Sequence, residues 1–345
     1  MPEESIEHIN FDALNKKAIS QPLVSHIYTA DPSAHYFNGK IYIYPSHDVD
    51  AGEAFDDLGS HFAMEDYHVI SMDSIDSKAI DNGMALHVND VPWAEKQMWA
   101  PDANEKDGTY YLFFPAKAYD GIFRIGVATS SSPTGPFTAQ PEAIKGSFSI
   151  DPAVFKDDDG SYYMYFGGLW GGQLQRWRTG TFNASEPDSP TAFLPDDNEP
   201  ALLPYVAKMT DDLLEFAEKP KTIEIVDEKG ALLLAGDNER RFFEAAWLHK
   251  HNGKYYFSYS TGDTHFICYG IGDNPYGPFT YKGRILNPVV GWTSHHSVCE
   301  IEGKSYLFYH DSSLSKGVTH LRSVKVAEIT YLEDGTIVTL DPYKD

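Results

Sequence analysis

One pattern returns five times along the 345-residue chain, and it constrains the fold more than any other feature. The shared pattern opens on a small or polar residue and passes through a short apolar alternation to a polar turn containing glycine. It then leaves through an aromatic-rich alternation. The copies are DPSAHYFNGKIYIY from Asp31, WAPDANEKDGTYYLFF from Trp99, DPAVFKDDDGSYYMYF from Asp151, EAAWLHKHNGKYYFSY from Glu244 and HHSVCEIEGKSYLFYH from His295. Asn-Gly follows at Asn38 and Asn252, Asp-Gly at Asp107 and Asp159, and Glu-Gly at Glu302. Such dipeptides supply the positive φ values that tight hairpins need, so every copy is expected to be a β-hairpin.

The turn glycines stand at 39, 108, 160, 253 and 303, with spacings of 69, 52, 93 and 50. Spacings near fifty suit one four-stranded blade, and the longer ones call for insertions. Between hairpins, GVATSSSPTGPFT and GIGDNPYGPFTYKG each look like an outer strand followed by a Pro-Gly turn. The expected fold is all-β: a single five-bladed β-propeller over residues 1–345. A β-sandwich is the competing architecture, but sandwich strands do not hold a fixed position relative to recurrent turns. Thr179 to Arg240, rich in Pro, Asp and Glu, is expected to be an insertion in the third blade. Within it Leu202 to Glu218 suits a helix or an outer strand pair.

Charge narrows the partners. With 27 basic and 51 acidic residues the net charge is −24, which repels phosphate backbones and anionic lipid. Neither nucleic acid nor a membrane is an expected partner. The stretch MPEESIEHINFDALNKK has no apolar leader segment, and no run of about 18 apolar residues occurs, so the expected location is cytoplasmic. Cys268 and Cys299 fall in strand-like stretches and fit neither a disulfide framework nor a metal cluster.

Counted back from its turn glycine, each segment starts at a near-constant offset of 8 or 9 residues, at Asp31, Trp99, Asp151, Glu244 and His295. If these begin the innermost strands, the five side chains meet at one level on the propeller axis. Taken singly, most have ordinary readings. Asp before Pro, as at Asp31 and Asp151, often only starts a turn, while Trp99 and His295 suit a core. Glu244 is harder to dismiss between Phe243 and Ala245-Ala246-Trp247, because an unpaired buried carboxylate is costly. As a group they suit glycosidic cleavage, which needs one protonated and one ionised carboxyl. Trp99 would offer a flat apolar face to a sugar ring. Walker, nucleophile-elbow, dinucleotide and His-Glu-x-x-His motifs are absent, and His61, His68, His87, His249, His251 and His265 show no metal-ligand spacing.

Five ordered motifs carry a resemblance to glycoside hydrolase family 43. They are ADPSAHYFNGKIYIY, MWAPD, SIDPAVF, FFEAAWL and SHHSV, within roughly Ile27 to Ile329. The resemblance implies an inverting, exo-acting glycosidase with Asp31 as general base, Glu244 as general acid and Asp151 raising the acid's pKa. It implies a substrate-contacting Arg322, from LRSVKVAEI, against the plainer reading of a surface ion pair. It also implies that His295, which lies beside His296, helps hold a calcium ion through water. The choice between the two histidines stays open. The expected substrate is a small oligosaccharide losing terminal xylose, with arabinofuranose also accepted. Alternatives are an arabinan-directed arabinofuranosidase or arabinanase, or a sugar-binding propeller without catalysis. A phosphorolytic propeller would need a basic cluster that the motifs lack. Because the sequence ends at Asp345, soon after the last propeller-like strands, a loop or a partner subunit is expected to shape the pocket in place of the β-sandwich many family members carry.

Overall fold

Each repeated segment forms an antiparallel hairpin. The computed structural model describes residues 8–52 and 56–344, so the leader reading falls partly outside the described residues. Four hairpins turn on two residues that both have positive φ: Asn38-Gly39, Asp107-Gly108, Asn252-Gly253 and Glu302-Gly303. The fifth is wider. Its strands pair from Lys156 to Tyr162, and Asp157 N–H donates to Ser161 O at 2.8 Å across the loop.

Five antiparallel blades follow. Blade 1 contains Tyr28–Phe37, Lys40–Asp48, Asp66–Met72 and Ile80–His87 in that order. In blade 2, Ala94–Lys96 and Asp102–Lys106 both pair with Thr109–Ala118, followed by Phe123–Ser130 and Thr138–Ala139. Blade 3 has Ala153–Lys156, Tyr162–Phe166, Tyr205–Lys208 and Lys221–Thr222. Blade 4 has Glu244–His251, Lys254–Ser260, Ile267–Gly272 and Phe279–Leu286, with Ile225–Val226 added in parallel at its outer edge. Blade 5 has His296–Ile301, Lys304–Asp311 and Ser323–Glu328. The innermost strands contact one another in a ring.

The aromatic-rich strands are explained by burial on both faces. In the second strand of blade 2, Phe114 packs with Tyr44 and Tyr67 of blade 1, and its neighbour Phe113 packs with Val154 and Met164 of blade 3. In blade 3, Tyr165 meets Phe257 of blade 4 while Phe166 turns to blade 2. Leu307 and Phe308 divide in the same way between blades 4 and 1. Successive strand side chains point to opposite faces, so a strand between two neighbouring blades must be apolar at every position.

The N-terminal segment closes the ring on blade 5. Leu23 N–H donates to Val324 O at 2.9 Å, Val326 N–H donates to the Ser20 hydroxyl at 3.1 Å, and Thr29 N–H donates to Arg322 O at 2.9 Å. The helix Phe11–Lys17, capped by Asn10, meets the C-terminal segment where Lys344 N–H donates to Lys17 O at 2.8 Å.

The stretch Thr179 to Arg240 is not simply inserted. Tyr205–Lys208 and Lys221–Thr222 are the outer strands of blade 3, and Ile225–Val226 belongs to the edge of blade 4. Strands of two to four residues, broken by Pro, Asp and Glu, leave no alternation long enough to recognise. Irregular chain fills residues 178–204, gathered around buried Arg176. Its guanidinium donates to the carbonyls of Asn183, Ser185, Glu186, Pro187 and Ser189, which lets polar backbone pack without a ladder.

Candidate active site

The acids of blades 1, 3 and 4 sit where their inner strands leave regular geometry. Asp31 has φ 48° at a bulge in the first strand of blade 1. Asp151 has φ 58° just before its strand, and Ala245, beside Glu244, has φ 62° at a bulge in blade 4. Bulges re-aim side chains, and here they turn the carboxyls into one cavity of about 1240 Å³. Trp99, His295 and Arg322 line the same cavity. The structure therefore brings all six sequence-predicted residues together.

Trp99 departs from the equal-offset reading. The inner strand of blade 2 begins three residues later, at Asp102, so Trp99 stands on a loop in the cavity wall rather than at a strand start. Its indole N–H donates to Phe62 O at 2.7 Å, and its ring lies 4.7 Å from that of Phe123. Gly59 and Gly171 back it closely. A Cβ on Gly59 would lie 2.7 Å from the indole, and one on Gly171 would lie 2.6 Å from Leu58 O. The axial carboxylate of MWAPD is Asp102, fully buried. It accepts from Ser33, from His35 at 2.8 Å and from the Val154 N–H, tying blades 1, 2 and 3 beneath the cavity.

The two histidines separate clearly. His296 is fully buried away from the cavity and shares a hydrogen bond of 2.6 Å with the Ser258 hydroxyl. His295 lines the cavity with both ring nitrogens unpartnered, its Nε2 3.7 Å from Asp151 Oδ2. Burial holds its pKa down, so the ring is neutral and keeps a lone pair.

Arg322 is no surface ion pair; it is 2% exposed. Its Nε and Nη2 grip Asp48 at 2.8 and 2.7 Å, while Nη1 donates to Asp31 Oδ1 at 2.9 Å and to the Thr293 hydroxyl at 3.0 Å. Four of the five guanidinium N–H groups are thereby used, which leaves one. The Ser46 hydroxyl donates to Asp31 Oδ2 at 2.7 Å, and the Asp31 N–H donates to His310 Nδ1 at 2.9 Å.

This packing makes the carboxyls unlike one another. Burial pushes the Asp31 pKa up, but Arg322, with lesser help from His295, His310 and Ser46, brings it down to about 2. Burial and the Asp31 charge push Glu244 up to about 8, against a smaller opposing pull from Arg322. Burial and Glu244 push Asp151 well up, although Asp151 accepts the Ala245 N–H at 2.8 Å. At neutral pH the cavity holds an ionised Asp31 facing a carboxyl pair that retains a proton.

Those acids stand in a chain whose relatives are known. The profile of Glycosyl hydrolases family 43 matches residues 19–337. The chain belongs to that family. It is 61% identical to xylosidase/arabinosidase 43A of Humicola insolens over 93% of this chain and 99% of that protein. It is 56% identical to a Bacteroides ovatus xylosidase/arabinosidase, over 92% of this chain and 97% of that protein. Among solved structures it resembles CoXyl43, a β-xylosidase/α-arabinofuranosidase from a compost microbial metagenome, in a calcium-free form complexed with xylotriose. The TM-score is 0.92 at 64% identity, covering 94% of this chain and 98% of that one.

Several residues of this family 43 site escape sequence reasoning. Asp48 and Ser46 lie in the second strand of blade 1, where polar residues interrupt an apolar run; that interruption was the available signal. Trp170, in the short 3-10 turn Trp170–Gly172, and Trp292, in an irregular segment, line the cavity with ring centroids 5.5 Å apart and share no motif.

Proposed function

We propose that this enzyme is an inverting, exo-acting β-xylosidase that also releases α-L-arabinofuranose, acting on small xylo-oligosaccharides. The observation that carries the reading is the split between Asp31, ionised by Arg322, and Glu244, kept protonated by burial beside that anion. Asp31 takes a proton from water as the water oxygen bonds to the anomeric carbon. Glu244 gives its proton to the departing glycosidic oxygen. One water and one glycoside become a sugar with inverted configuration and an alcohol, and the two carboxyls then re-equilibrate with solvent. Asp31, not Asp151, is the charge that raises Glu244. Asp151 is itself pushed up by Glu244 and is anchored on the Ala245 N–H, which places it to orient the acid. The remaining Arg322 N–H faces sugar hydroxyls.

Exo-cleavage is supported by the floor. Ser33 and His35 of blade 1 bond Asp102 of blade 2, and Ala34 N–H donates to the Ser297 hydroxyl of blade 5 at 3.0 Å. The inner strands are thus tied together on the turn side of Asp31, which supports entry by a chain end. Arg322 is the one Lys or Arg among the lining residues, and it is committed to Asp48 and Asp31, which disfavours a phosphorolytic reading. The bare nitrogens of His295 fit a hydrated cation, and calcium is the proposed ion. It would be held by His295 through water and would supply positive charge favouring ionised carboxylates.

Assays on nitrophenyl β-D-xyloside, nitrophenyl α-L-arabinofuranoside, xylobiose and linear arabinan test the reading. Xylose from xylobiose, with a weaker arabinofuranosidase rate, is the expected result. Internal cutting of arabinan without xylose release from xylobiose would overturn it.

A further inference from the structure

On the outer part of blade 1, away from the carboxyl cluster, five side chains form a line: His26, Asp81, His68, Asp66 and His47. Three of its links are ordinary hydrogen bonds. His26 Nε2 meets Asp81 Oδ2 at 2.8 Å, His68 Nδ1 meets Asp81 Oδ1 at 2.9 Å, and His47 Nδ1 meets Asp66 Oδ1 at 2.6 Å. The fourth link is open. His68 Nε2 stands 3.8 Å from Asp66 Oδ2, too far to share a proton. His68 and Asp66 lie two apart on one strand, and His47 lies on the neighbouring strand, whose Ser46 pairs with Tyr67.

From these positions we infer a divalent transition-metal site, of zinc class, with His47 Nδ1, His68 Nε2 and an Asp66 carboxylate oxygen as ligands. The ligand atoms lie within 4.8 Å of one another. Two imidazoles and one carboxylate select zinc-like ions over calcium, which prefers oxygen. Asp81 supplies the independent sign. It engages His68 Nδ1 at 2.9 Å, which leaves Nε2, outside hydrogen-bond distance, as the ring nitrogen nearest the Asp66 carboxylate, an arrangement a cation completes. Metal-ligating histidines are held by a carboxylate in this way. Asp81 is itself fixed by the Gly83 N–H at 2.8 Å and by His26. The ligand side chains are 15–19% exposed, leaving a fourth position for water. A cation here takes the place of the proton that His47 donates to Asp66.

The site has a structural consequence. His47 is flanked by Ser46, which donates to Asp31, and by Asp48, which grips Arg322. A metal on His47 therefore clamps the strand end that positions the proposed base. The spacing of single histidines hid the site, because its ligands come from two strands.

The test uses the full chain, stripped by chelator and returned to chelator-free buffer, in a His295→Ala background that removes the axial histidine. Zinc titration by calorimetry should give one ion per chain, and cobalt(II) should give visible d–d absorption. His68→Ala should abolish both signals. Asp81→Asn, which keeps the shape, should weaken zinc binding about 10–100-fold. Crystals soaked in zinc should show an anomalous peak between His47, Asp66 and His68. No peak there, or zinc binding unchanged by Asp81→Asn and His68→Ala, would overturn the site.

Discussion

Arg322 Nη1 donates to Asp31 Oδ1 at 2.9 Å, while the other half of the same guanidinium closes on Asp48. That contact is what keeps Asp31 ionised and makes it the proposed base. With Asp31 ionised above about pH 2 and Glu244 protonated below about pH 8, kcat/KM should be level across the acid and neutral range. It should fall as the pH rises through about 8. The same depression of Asp31 stabilises the fold above the unfolded aspartate pKa, a contribution lost as the pH falls through about 2. Arg322→Met alone strands a buried Asp48 charge, at about 3–5 kcal/mol. The double variant Arg322→Met/Asp48→Asn removes both charges, and its acid limb should move to higher pH. A limb that stays in place would detach Arg322 from the base.

Glu244→Gln should lose about 10²–10⁴-fold on xylobiose, the usual range for general acid–base catalysis. Dinitrophenyl xyloside, whose leaving group needs no proton, should lose far less. The alkaline limb near pH 8 should disappear along with the acid. Equal losses on both substrates would remove Glu244 from that role.

The fold was legible because blade strands are buried on both faces. Aromatic neighbours such as Phe113 and Phe114 serve opposite blades, and the glycine turns mark where each hairpin reverses. The acids were legible because Asp31, Asp151 and Glu244 stand 8, 9 and 9 residues before their turn glycines. The same rule misplaced Trp99: the approach to Asp102 is looped, and an offset in sequence does not show a loop. Asp48 and His310 were missed because their importance lies in contacts spanning hundreds of residues, to Arg322 and to the Asp31 N–H. The outer strands of blade 3 are two to four residues long and leave no period to detect.

Arg176 should prove a stability residue for the irregular chain of residues 178–204. Arg176→Met keeps much of the apolar stem but leaves the five carbonyls without their shared donor. The expected loss is about 1.5–3 kcal/mol, the worth of hydrogen bonds to a charged group, because the carbonyls lie on exposed or half-buried residues that water can reach. It should appear as a lowered thermal midpoint and faster proteolysis within 178–204. An unchanged midpoint would show that these carbonyls are satisfied in another way.

Chelation should lower activity on xylobiose, and calcium should restore it. The motive is His295, whose ring nitrogens are buried without partners beside Asp151. His295→Ala should abolish the response to calcium, whereas His68→Ala should leave it intact, because that residue lies on the outer strands of blade 1. Full activity after exhaustive chelation would leave His295 as a packing residue.

The product anomer gives the most direct check on how Asp31 acts. If its carboxylate activates water, the oxygen arrives on the face opposite the departing group, and a β-xyloside must first release α-xylose. If Asp31 instead bonded to the anomeric carbon, water would displace it in a second inversion and β-xylose would appear first. Its environment favours the first course, because Arg322 and Ser46 each hold one carboxylate oxygen and oppose the approach to carbon that a covalent bond requires. Proton NMR during the first minutes of xylobiose hydrolysis, before mutarotation mixes the anomers, should show the α signal of the newly formed reducing end growing first. Early growth of the β signal from that end would rule out Asp31 as a water-activating base.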